Sequence, residues 1–350
     1  MKSVSLASNQ HLVATPKPGA LDRFARRLVL RQLERLSIGC IRLEERGETL
    51  LYGELAGHLD EAGTSRPEKS ADQCGQDSVE HTLMATIEVL DNSFYSDIAF
   101  GGSIGAGEAY MHGAWRCDDL VSLVRILLRN RHVLDNMEEG AASLTKPLQK
   151  LFHRVNRNSR DGARRNISAH YDVGNDFFAL WLDESMMYSS AIFEKETTSL
   201  ADAQRHRLNV ICERLDLGPD DHVIEIGTGW GGFAIHAVQN FGCRVTTTTI
   251  SKEQYDFAAR RIREAGLEDR IELLLEDYRD LQGRFDKLVS IEMIEAIGSA
   301  QYDTYFERCG RLLKPGGRLL IQAITIADQQ YAYAQKNVDF IQRYIFPGSC

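Results

Sequence analysis

The stretch VIEIGTGWGGFAIHA, residues 223–237, decides the fold of the larger part of this chain. It begins as a short apolar run, passes through four glycines within six positions and continues with apolar residues at helical spacing. Glycine permits a tight turn and the close approach of a ligand, and a helix N-terminus favours anionic groups. The pattern therefore predicts a strand, a ligand-binding turn and a helix, with a turn that binds nothing as the alternative.

Strand-like and helix-like runs alternate around this stretch. Strands are predicted at 222–226, 243–251, 271–278, 286–294 and 316–326, and helices at 231–241, 252–265 and 301–313. Such alternation predicts an α/β fold with a parallel sheet and helices on both faces. In that architecture the ligand binds beyond the carboxyl ends of the strands, at the switch in strand order.

The first 137 residues predict a smaller α+β domain. A basic amphipathic helix is expected at 21–36, with Leu21, Phe24, Leu28 and Leu36 on its apolar face. Strand-like runs follow at 40–54 and 81–91, then a glycine-rich segment at 101–115 that should break any helix, then a helix at 118–130. The predicted domains are 1–137, a basic linker at 138–167, and a catalytic domain at 168–350.

Charge and composition exclude several classes of protein. The net charge of -9 argues against a general nucleic-acid binder. The seven cysteines are scattered without a C-x-x-C pair, so no metal site or disulfide framework is predicted. The first 20 residues contain no secretory signal and no run is long enough to span a membrane, which predicts a cytoplasmic protein.

One segment reverses the overall charge. Residues 146–165 hold seven Lys or Arg against one acid. This segment is either a solvated linker or a surface for anionic lipid headgroups, and the pattern favours neither.

The residues around the glycine turn distinguish two classes of ligand. A dinucleotide site requires an acidic residue about 20 positions after the glycines, but the second strand ends in Thr247, Thr248 and Thr249. Glu225 before the turn, and the pair at 277–278, instead resemble the E/D-x-G-x-G-x-G motif and the adenine-binding acid of class I methyltransferases. S-adenosylmethionine is therefore the predicted ligand, and an NAD dehydrogenase is a distant alternative.

Seven motifs in order carry a more specific resemblance. They are SAHYDVGNDFFALWLDESMMYSSAIF (168–193), IGTGWGG, TISKEQ, EDYRDL, IEMIEAIG, RLLKPGG and VDFIQRYIFPG. Together they resemble the cyclopropane fatty acid synthase family, which includes the mycolic acid cyclopropane synthases. The resemblance implies a Rossmann-like class I methyltransferase fold with a doubly wound sheet.

The family resemblance also implies a reaction, a partner and a location. The enzyme would transfer the methyl of S-adenosylmethionine to a cis double bond of an unsaturated phospholipid chain and then remove a proton to close a cyclopropane ring. It would work as a peripheral protein at the inner face of the membrane. Whether the protein forms a homodimer stays open.

The resemblance assigns individual residues to the donor and to the proton acceptor. The positions that match donor-binding residues are Tyr171, Tyr188, Ser189, Glu225, Gly227, Gly229, Gly231, Thr249, Gln254, Asp277 and Tyr278. A bicarbonate that accepts the proton would be held by Ser190, Glu295, Gln322 and the backbone of Ile324. Ser190 replaces a cysteine of the family and Gln322 replaces a histidine. Family members continue beyond the point where this chain ends, so a truncated C-terminus that lacks an active-site tyrosine is expected.

Apolar side chains of the same segment would line a dry acyl pocket: Phe177, Phe178, Trp181, Met186, Met187 and Phe193. They could equally be ordinary core. Three further hypotheses stay open: a methylene- or methyl-branched product, a small diffusible acceptor, and a catalytically silent protein that binds S-adenosylmethionine at a lipid surface. The exchanges at Ser190 and Gln322 motivate the first two, and the expected truncation motivates the third.

Overall fold

The computed structural model describes residues 19–54, 83–139, 174–335 and 337–346. The chain divides into two compact units, Met1–Leu148 and Gln149–Cys350. Most of the predicted linker at 138–167, and the whole basic segment at 146–165, lie outside the described residues. The predicted domain limits therefore stay a prediction.

The first unit is a small α+β structure, as predicted. Its elements are α1 (Ala20–Leu33), β1 (Gly39–Glu45), β2 (Glu48–Glu54), β3 (Met84–Val89), α2 (Ser93–Met111), β4 (Trp115–Cys117), α3 (Leu120–Arg129) and α4 (Arg131–Glu139). The sheet order is β2-β1-β3-β4, with β1 and β3 parallel and the outer pairs antiparallel.

The predicted helix near the N-terminus exists, and its apolar face was predicted correctly in part, because Leu28 packs against the core and Leu36 is buried just beyond the end of the helix. Leu21 and Phe24 are 59% and 52% exposed, whereas Ala25, Val29 and Leu33 are buried. The buried residues lie four apart and therefore share one helix face. Small and branched side chains at that spacing let α1 pack closely. The large apolar side chains of Leu21 and Phe24 therefore did not indicate burial.

The glycines of 101–115 break the helix as expected, but at a single position. α2 runs through them to Met111, and only Gly102 leaves helical geometry, with φ of 59° and ψ of -141°. An added Cβ on Gly105 would lie 1.9 Å from the carbonyl oxygen of Asp97. Gly105 therefore has no room for a side chain, because the backbone of the second helical segment lies against the backbone at Asp97 in the first. The chain stays helical on either side of the kink at Gly102.

The second unit holds the predicted parallel sheet. Its elements are α5 (Asn175–Ala179), α6 (Leu200–Leu215), β5 (His222–Ile226), α7 (Gly232–Phe241), β6 (Arg244–Thr248), α8 (Lys252–Glu264), β7 (Ile271–Leu274), β8 (Phe285–Ile291), two short 3-10 turns (Ile294–Ala296 and Ser299–Gln301), α9 (Tyr302–Leu312), β9 (Leu313–Gln322), α10 (Asp328–Ala334) and a π turn (Ile341–Ile345). All strand pairs are parallel, in the order β7-β6-β5-β8-β9. The α/β prediction is confirmed.

Both faces of this sheet are covered, which makes it doubly wound. Val223 on β5 belongs to a core cluster with α6 and α7, while Ile224 and Ile226 belong to a second cluster with α9. Adjacent strand residues point to opposite faces, so the apolar run of β5 serves two cores. Strand order reverses between β5 and β8, which places a cleft at their carboxyl ends.

No helix within the described parts of the chain has the length and apolar character to cross a membrane.

Candidate functional site

The glycine turn joins β5 to α7 at the switch in strand order. Gly227, Gly229 and Gly231 have φ angles of 102°, 54° and 85°, in a region that residues other than glycine rarely adopt. The backbone amides of Gly227 and Thr228 both donate to the carbonyl of Thr248 at 3.0 Å, which fixes the turn against β6. An added Cβ on Gly229 would meet nothing within 4 Å, so this residue borders open space.

Glu225 lies inside the sheet just before this turn. Its Oε2 accepts a hydrogen bond of 2.6 Å from the Thr247 hydroxyl, which lies 2.7 Å from the Thr228 hydroxyl. Burial raises the pKa of Glu225 to about 8, and the Thr247 hydrogen bond opposes part of that rise. A neutral carboxyl group therefore links the strand to the first residues of the turn.

Two predicted donor-binding residues, Thr249 and Gln254, bond to each other. The Thr249 hydroxyl donates to Gln254 Oε1 at 2.8 Å, and both residues are buried. Ser251 caps α8 by accepting the amide hydrogen of Gln254. This pair holds the loop after β6 beside the glycine turn.

Asp277 and Tyr278 follow β7, as the adenine-binding pair was predicted to do. Arg279 holds the Asp277 carboxylate with two side-chain bonds, Nε to Oδ1 at 2.8 Å and Nη2 to Oδ2 at 2.6 Å. The charge of Asp277 is thus compensated within its own loop, a role that sequence reasoning did not give to Arg279. Tyr278 packs edge-on against Tyr305, with ring centroids 5.6 Å apart.

The segment at 184–187 lies directly on the glycine turn. An added Cβ on Gly232 would lie 2.5 Å from the Met187 sulfur and 2.8 Å from the Ser185 carbonyl oxygen. From α8, the Arg261 guanidinium donates to the carbonyls of Ser185 and Trp230, each at 2.9 Å. Gly232 therefore leaves room for this segment and Arg261 binds it to the turn. No sequence signal pointed to Arg261.

An aromatic group stands beside this junction. Phe178, Met186 and Trp230 are buried together, and the Trp230 indole donates to Asn175 at 2.6 Å. Tyr188 contacts Phe178, with ring centroids 5.4 Å apart. The remaining aromatic residues predicted as lining, Phe177, Trp181 and Phe193, are about half exposed. The predicted lining thus divides into a buried core and an accessible rim.

The predicted ligands Ser190 and Gln322 meet at the carboxyl ends of β8 and β9. The backbone amide and the hydroxyl of Ser190 donate to Glu292 Oε1 at 3.1 and 2.9 Å, and Gln322 Nε2 donates to the same oxygen at 2.8 Å. Glu292 has φ of 47°, unusual for a residue with a side chain. Sequence reasoning missed Glu292, although it stands within the IEMIEAIG motif.

Arg207 on α6 also belongs to this hydrogen-bond network. Its Nη1 donates to Gln322 Oε1 at 3.0 Å and its Nε donates to Gln204 Oε1 at 3.0 Å. Burial lowers the pKa of Arg207 to about 10, while the nearby Glu292 charge favours the protonated form. Because arginine only donates, it fixes the Gln322 amide with its nitrogen toward Glu292.

Glu295 lies in the 3-10 turn after β8. Its Oε1 accepts the Ile324 backbone amide at 2.5 Å, so the predicted pair of Glu295 and Ile324 is in contact. Burial raises the pKa of Glu295, the Ile324 amide lowers it, and the Glu292 charge adds to the rise. Tyr171, another predicted donor-binding residue, lies outside the described residues.

The site fits the two predicted small molecules differently. An open glycine turn, a neutral Glu225 and a paired Asp277 suit S-adenosylmethionine, whose amino-acid half would lie against the turn. The ligands predicted for bicarbonate do not fit. Ser190 and Gln322 already donate to Glu292, and the Ile324 amide already donates to Glu295.

Comparison with known proteins places these features in a family. A family profile described as mycolic acid cyclopropane synthetase matches residues 158–350. Tuberculostearic acid methyltransferase UfaA1 of Mycobacterium tuberculosis is 38% identical over 255 residues, which are 71% of this chain and 59% of that protein. Cyclopropane-fatty-acyl-phospholipid synthase of Escherichia coli K12 is 38% identical over 274 residues, 76% of this chain and 66% of that protein. The chain thus spans less than two thirds of either relative.

Two solved structures resemble part of the chain. Cyclopropane synthase MmaA2 from Mycobacterium tuberculosis and mycolic acid cyclopropane synthase CmaA1, complexed with SAH and CTAB, are each 30% identical. Each match covers 53% of this chain and 68% of the other, with a TM-score of 0.49. The family profile covers more than half of the chain and confirms the resemblance seen in its motifs. The chain therefore belongs to the mycolic acid cyclopropane synthetase family.

Proposed function

We propose that this protein transfers the methyl carbon of S-adenosylmethionine to a cis double bond of an unsaturated phospholipid chain, forming a cyclopropane ring. The observation that carries the proposal is the family match over 158–350, which includes the glycine turn and the Glu292 network. Bound S-adenosylmethionine supplies an electrophilic methyl group. The residues of this chain would bind it, exclude water and accept the proton.

Donor binding is assigned to the carboxyl edge of the sheet. The glycine turn would receive the amino-acid half of the donor, because its backbone approaches open space at Gly229. The loop at 277–278 would receive the adenine, and Thr249 with Gln254 would shape the loop between them. Tyr188 and Ser189 follow the segment that Arg261 holds on the turn.

The acceptor is assigned to the aromatic rim. An alkene is a weak nucleophile without an acidic proton, so a base cannot activate it in advance. Catalysis then depends on alignment in a dry environment, and on aromatic faces that stabilise a carbocation by about 0.5–2 kcal/mol each. Phe177, Trp181 and Tyr188 combine exposed ring area with close ring contacts, which suits contact with an acyl chain.

A lipid surface is the proposed partner of the first unit. Val121, Val124 and Leu128 are 60%, 50% and 61% exposed, and their spacing places them on one face of α3. The sequence of α3, LVSLVRILLR, contains two arginines and no acid. An apolar helix face with basic neighbours suits an anionic bilayer surface, where it lies in the interface without spanning it. Leu21 and Phe24 add exposed apolar area on α1.

A direct assay tests the reaction. The protein is incubated with methyl-labelled S-adenosylmethionine and vesicles of cis-unsaturated phospholipid, and label is measured in the extracted lipid. We expect label in unsaturated lipid and none in vesicles of saturated lipid. Absence of label from both, with donor binding shown by calorimetry, would instead support a catalytically silent protein that binds S-adenosylmethionine.

A branched product is the second candidate. The relatives named above include a tuberculostearic acid methyltransferase and a cyclopropane-fatty-acyl-phospholipid synthase at equal identity. The exchanged residues Ser190 and Gln322 surround Glu292, which would alter the position of proton removal. Fragmentation of the product lipid by mass spectrometry separates a ring from a methylene or methyl branch. Label in a small metabolite without vesicles would support a diffusible acceptor.

A further inference from the structure

The position predicted to hold a dissolved anion contains a carboxylate of the chain itself. Ser190 offers its amide and hydroxyl, and Gln322 offers its amide nitrogen, all to Glu292 Oε1 within 3.1 Å. Three donors converging on one oxygen are what an anion requires. A bicarbonate would have to displace Glu292 from every one of these bonds.

The charges around the position also disfavour a second anion. Burial is the main cause of the raised pKa of Glu295, and the negative charge of Glu292 adds to that rise. Among the described residues, the buried cation in this network is Arg207, which reaches Glu292 through Gln322. Within the described residues, Arg207 already lies near the Glu292 and Asp183 charges, and an added bicarbonate would bring further negative charge next to Glu292.

The backbone indicates that the carboxylate is held there at a cost. Glu292 has φ of 47°, in the left-handed region that favours glycine. Its amide donates to the Gln322 carbonyl at 2.8 Å, which fixes the residue at the end of β8. Backbone strain of this kind is found at functional sites, where the surrounding structure maintains it.

One oxygen of the carboxylate stays available for chemistry. Among the described residues, every hydrogen bond to the Glu292 side chain goes to Oε1. Oε2 can therefore take up a proton without breaking the network. Arg207 fixes the orientation of Gln322, so the donors to Oε1 keep their places when the charge changes.

We propose that the Glu292 carboxylate is the resident anion of this site and accepts the proton of the methyl-transfer reaction, in place of bicarbonate. The proposal rests on the proposed function. After methyl transfer, one carbon of the former double bond is cationic. A C–H bond of the added methyl group breaks, its electron pair forms the third ring bond, and its proton goes to Oε2. The neutral carboxylic acid then releases the proton to water.

The first experiment measures bicarbonate binding in the absence of donor and lipid. The full chain and its Glu292→Gly variant are titrated with carbon-13-labelled bicarbonate and followed by NMR. We expect no binding to the unsubstituted protein and saturable binding to the glycine variant, because the three donors then face open space. The glycine variant should fold well, since the backbone at 292 suits glycine. Bicarbonate binding to the unsubstituted protein, or none to the variant, would overturn the proposal.

The second experiment measures methyl transfer to unsaturated vesicles in buffer freed of carbon dioxide. We expect the unsubstituted protein to keep its rate, Glu292→Gly to lose about 100-fold or more, and added formate or bicarbonate to restore about tenfold in that variant. Glu292→Gln should be inactive without rescue, because the amide still fills the position. Glu213→Gln, an exposed site on α6, is the matched control.

The outcomes separate this inference from the proposed function. An unsubstituted protein that needs added bicarbonate, or a glycine variant that keeps its rate without any anion, would refute the role of Glu292. If no form of the protein labels lipid, the proposed function fails. In that case the bicarbonate-binding experiment alone tests whether Glu292 occupies the anion position.

Discussion

The carboxyl group of Glu225 lies 2.6 Å from the Thr247 hydroxyl, buried between two strands of the sheet. Burial raises its pKa from 4.5 to about 8 in the folded protein. A group whose folded pKa is raised contributes its full stability below pH 4.5, and that contribution declines as the pH rises toward 8.

This relationship predicts the pH dependence of stability. In Glu225→Gln the side chain cannot ionise, so the decline between pH 4.5 and 8 should be smaller by on the order of 3 kcal/mol at pH 7. Denaturant unfolding at a series of pH values measures it. The control is Glu213→Gln, an exposed carboxylate. Parallel pH profiles for the Glu225 variant and the unsubstituted protein would refute a buried neutral Glu225.

Gly232 should tolerate no side chain. An alanine Cβ would collide with Met187 and Ser185, so Gly232→Ala should lower the free energy of unfolding by about 1–3 kcal/mol and weaken binding of S-adenosylhomocysteine. Gly310→Ala is the matched control, because its Cβ meets nothing within 4 Å and it lies inside α9. That change should stabilise the protein by about 0.5–1 kcal/mol. Equal effects at both sites, measured by denaturant unfolding and calorimetry, would contradict the packing described.

The pair of Asp277 and Arg279 predicts a non-additive result. Arg279→Met removes the two side-chain donors to the buried Asp277 carboxylate, which keeps the backbone amide of residue 279, and should lower the free energy of unfolding by about 3 kcal/mol. Adding Asp277→Asn to that variant removes the buried negative charge that the guanidinium compensated, so the double variant should be more stable than Arg279→Met alone. Denaturant unfolding of both single variants and the double variant provides the cycle. A double variant less stable than Arg279→Met would show that the carboxylate is not dependent on the arginine.

The exposed face of α3 predicts reduced lipid binding when it becomes acidic. The double variant Val124→Asp, Leu128→Asp loses apolar area and gains two negative charges, so it should bind anionic vesicles about tenfold more weakly or worse. Vesicle flotation measures the bound fraction. Gln239→Asp with Asn240→Asp adds the same charge on α7 and serves as the control. Equal loss in both double variants would indicate a general charge effect instead of a specific surface.

Local sequence signals predicted the sheet well. The strand at 222–226 was predicted with its observed limits, because a short apolar run followed by glycine has few other solutions. The later strands were predicted to end three or four residues beyond their observed ends. Polar residues after β7 and β8 belong to the site loops, and apolar periodicity does not mark where hydrogen bonding between strands ends.

Contacts between distant residues account for what the sequence could not show. Arg261 reaches Ser185, and Arg207 reaches Gln322, across gaps of 76 and 115 residues. Isolated arginines carry no periodic pattern, so neither position could be recognised. Glu292 lies in the IEMIEAIG motif, yet its proposed role depends on a positive φ and on Ser190, 102 residues away.

The backbone conformation at Glu292 also bears on how such a site could change over generations. Glutamate and glycine codons differ by a single base, and glycine would relieve the torsional strain at this position. One point mutation could therefore convert a site with the proposed built-in base into one that binds its base from solution. The reverse mutation would lower the stability of the fold only by the backbone strain at this position.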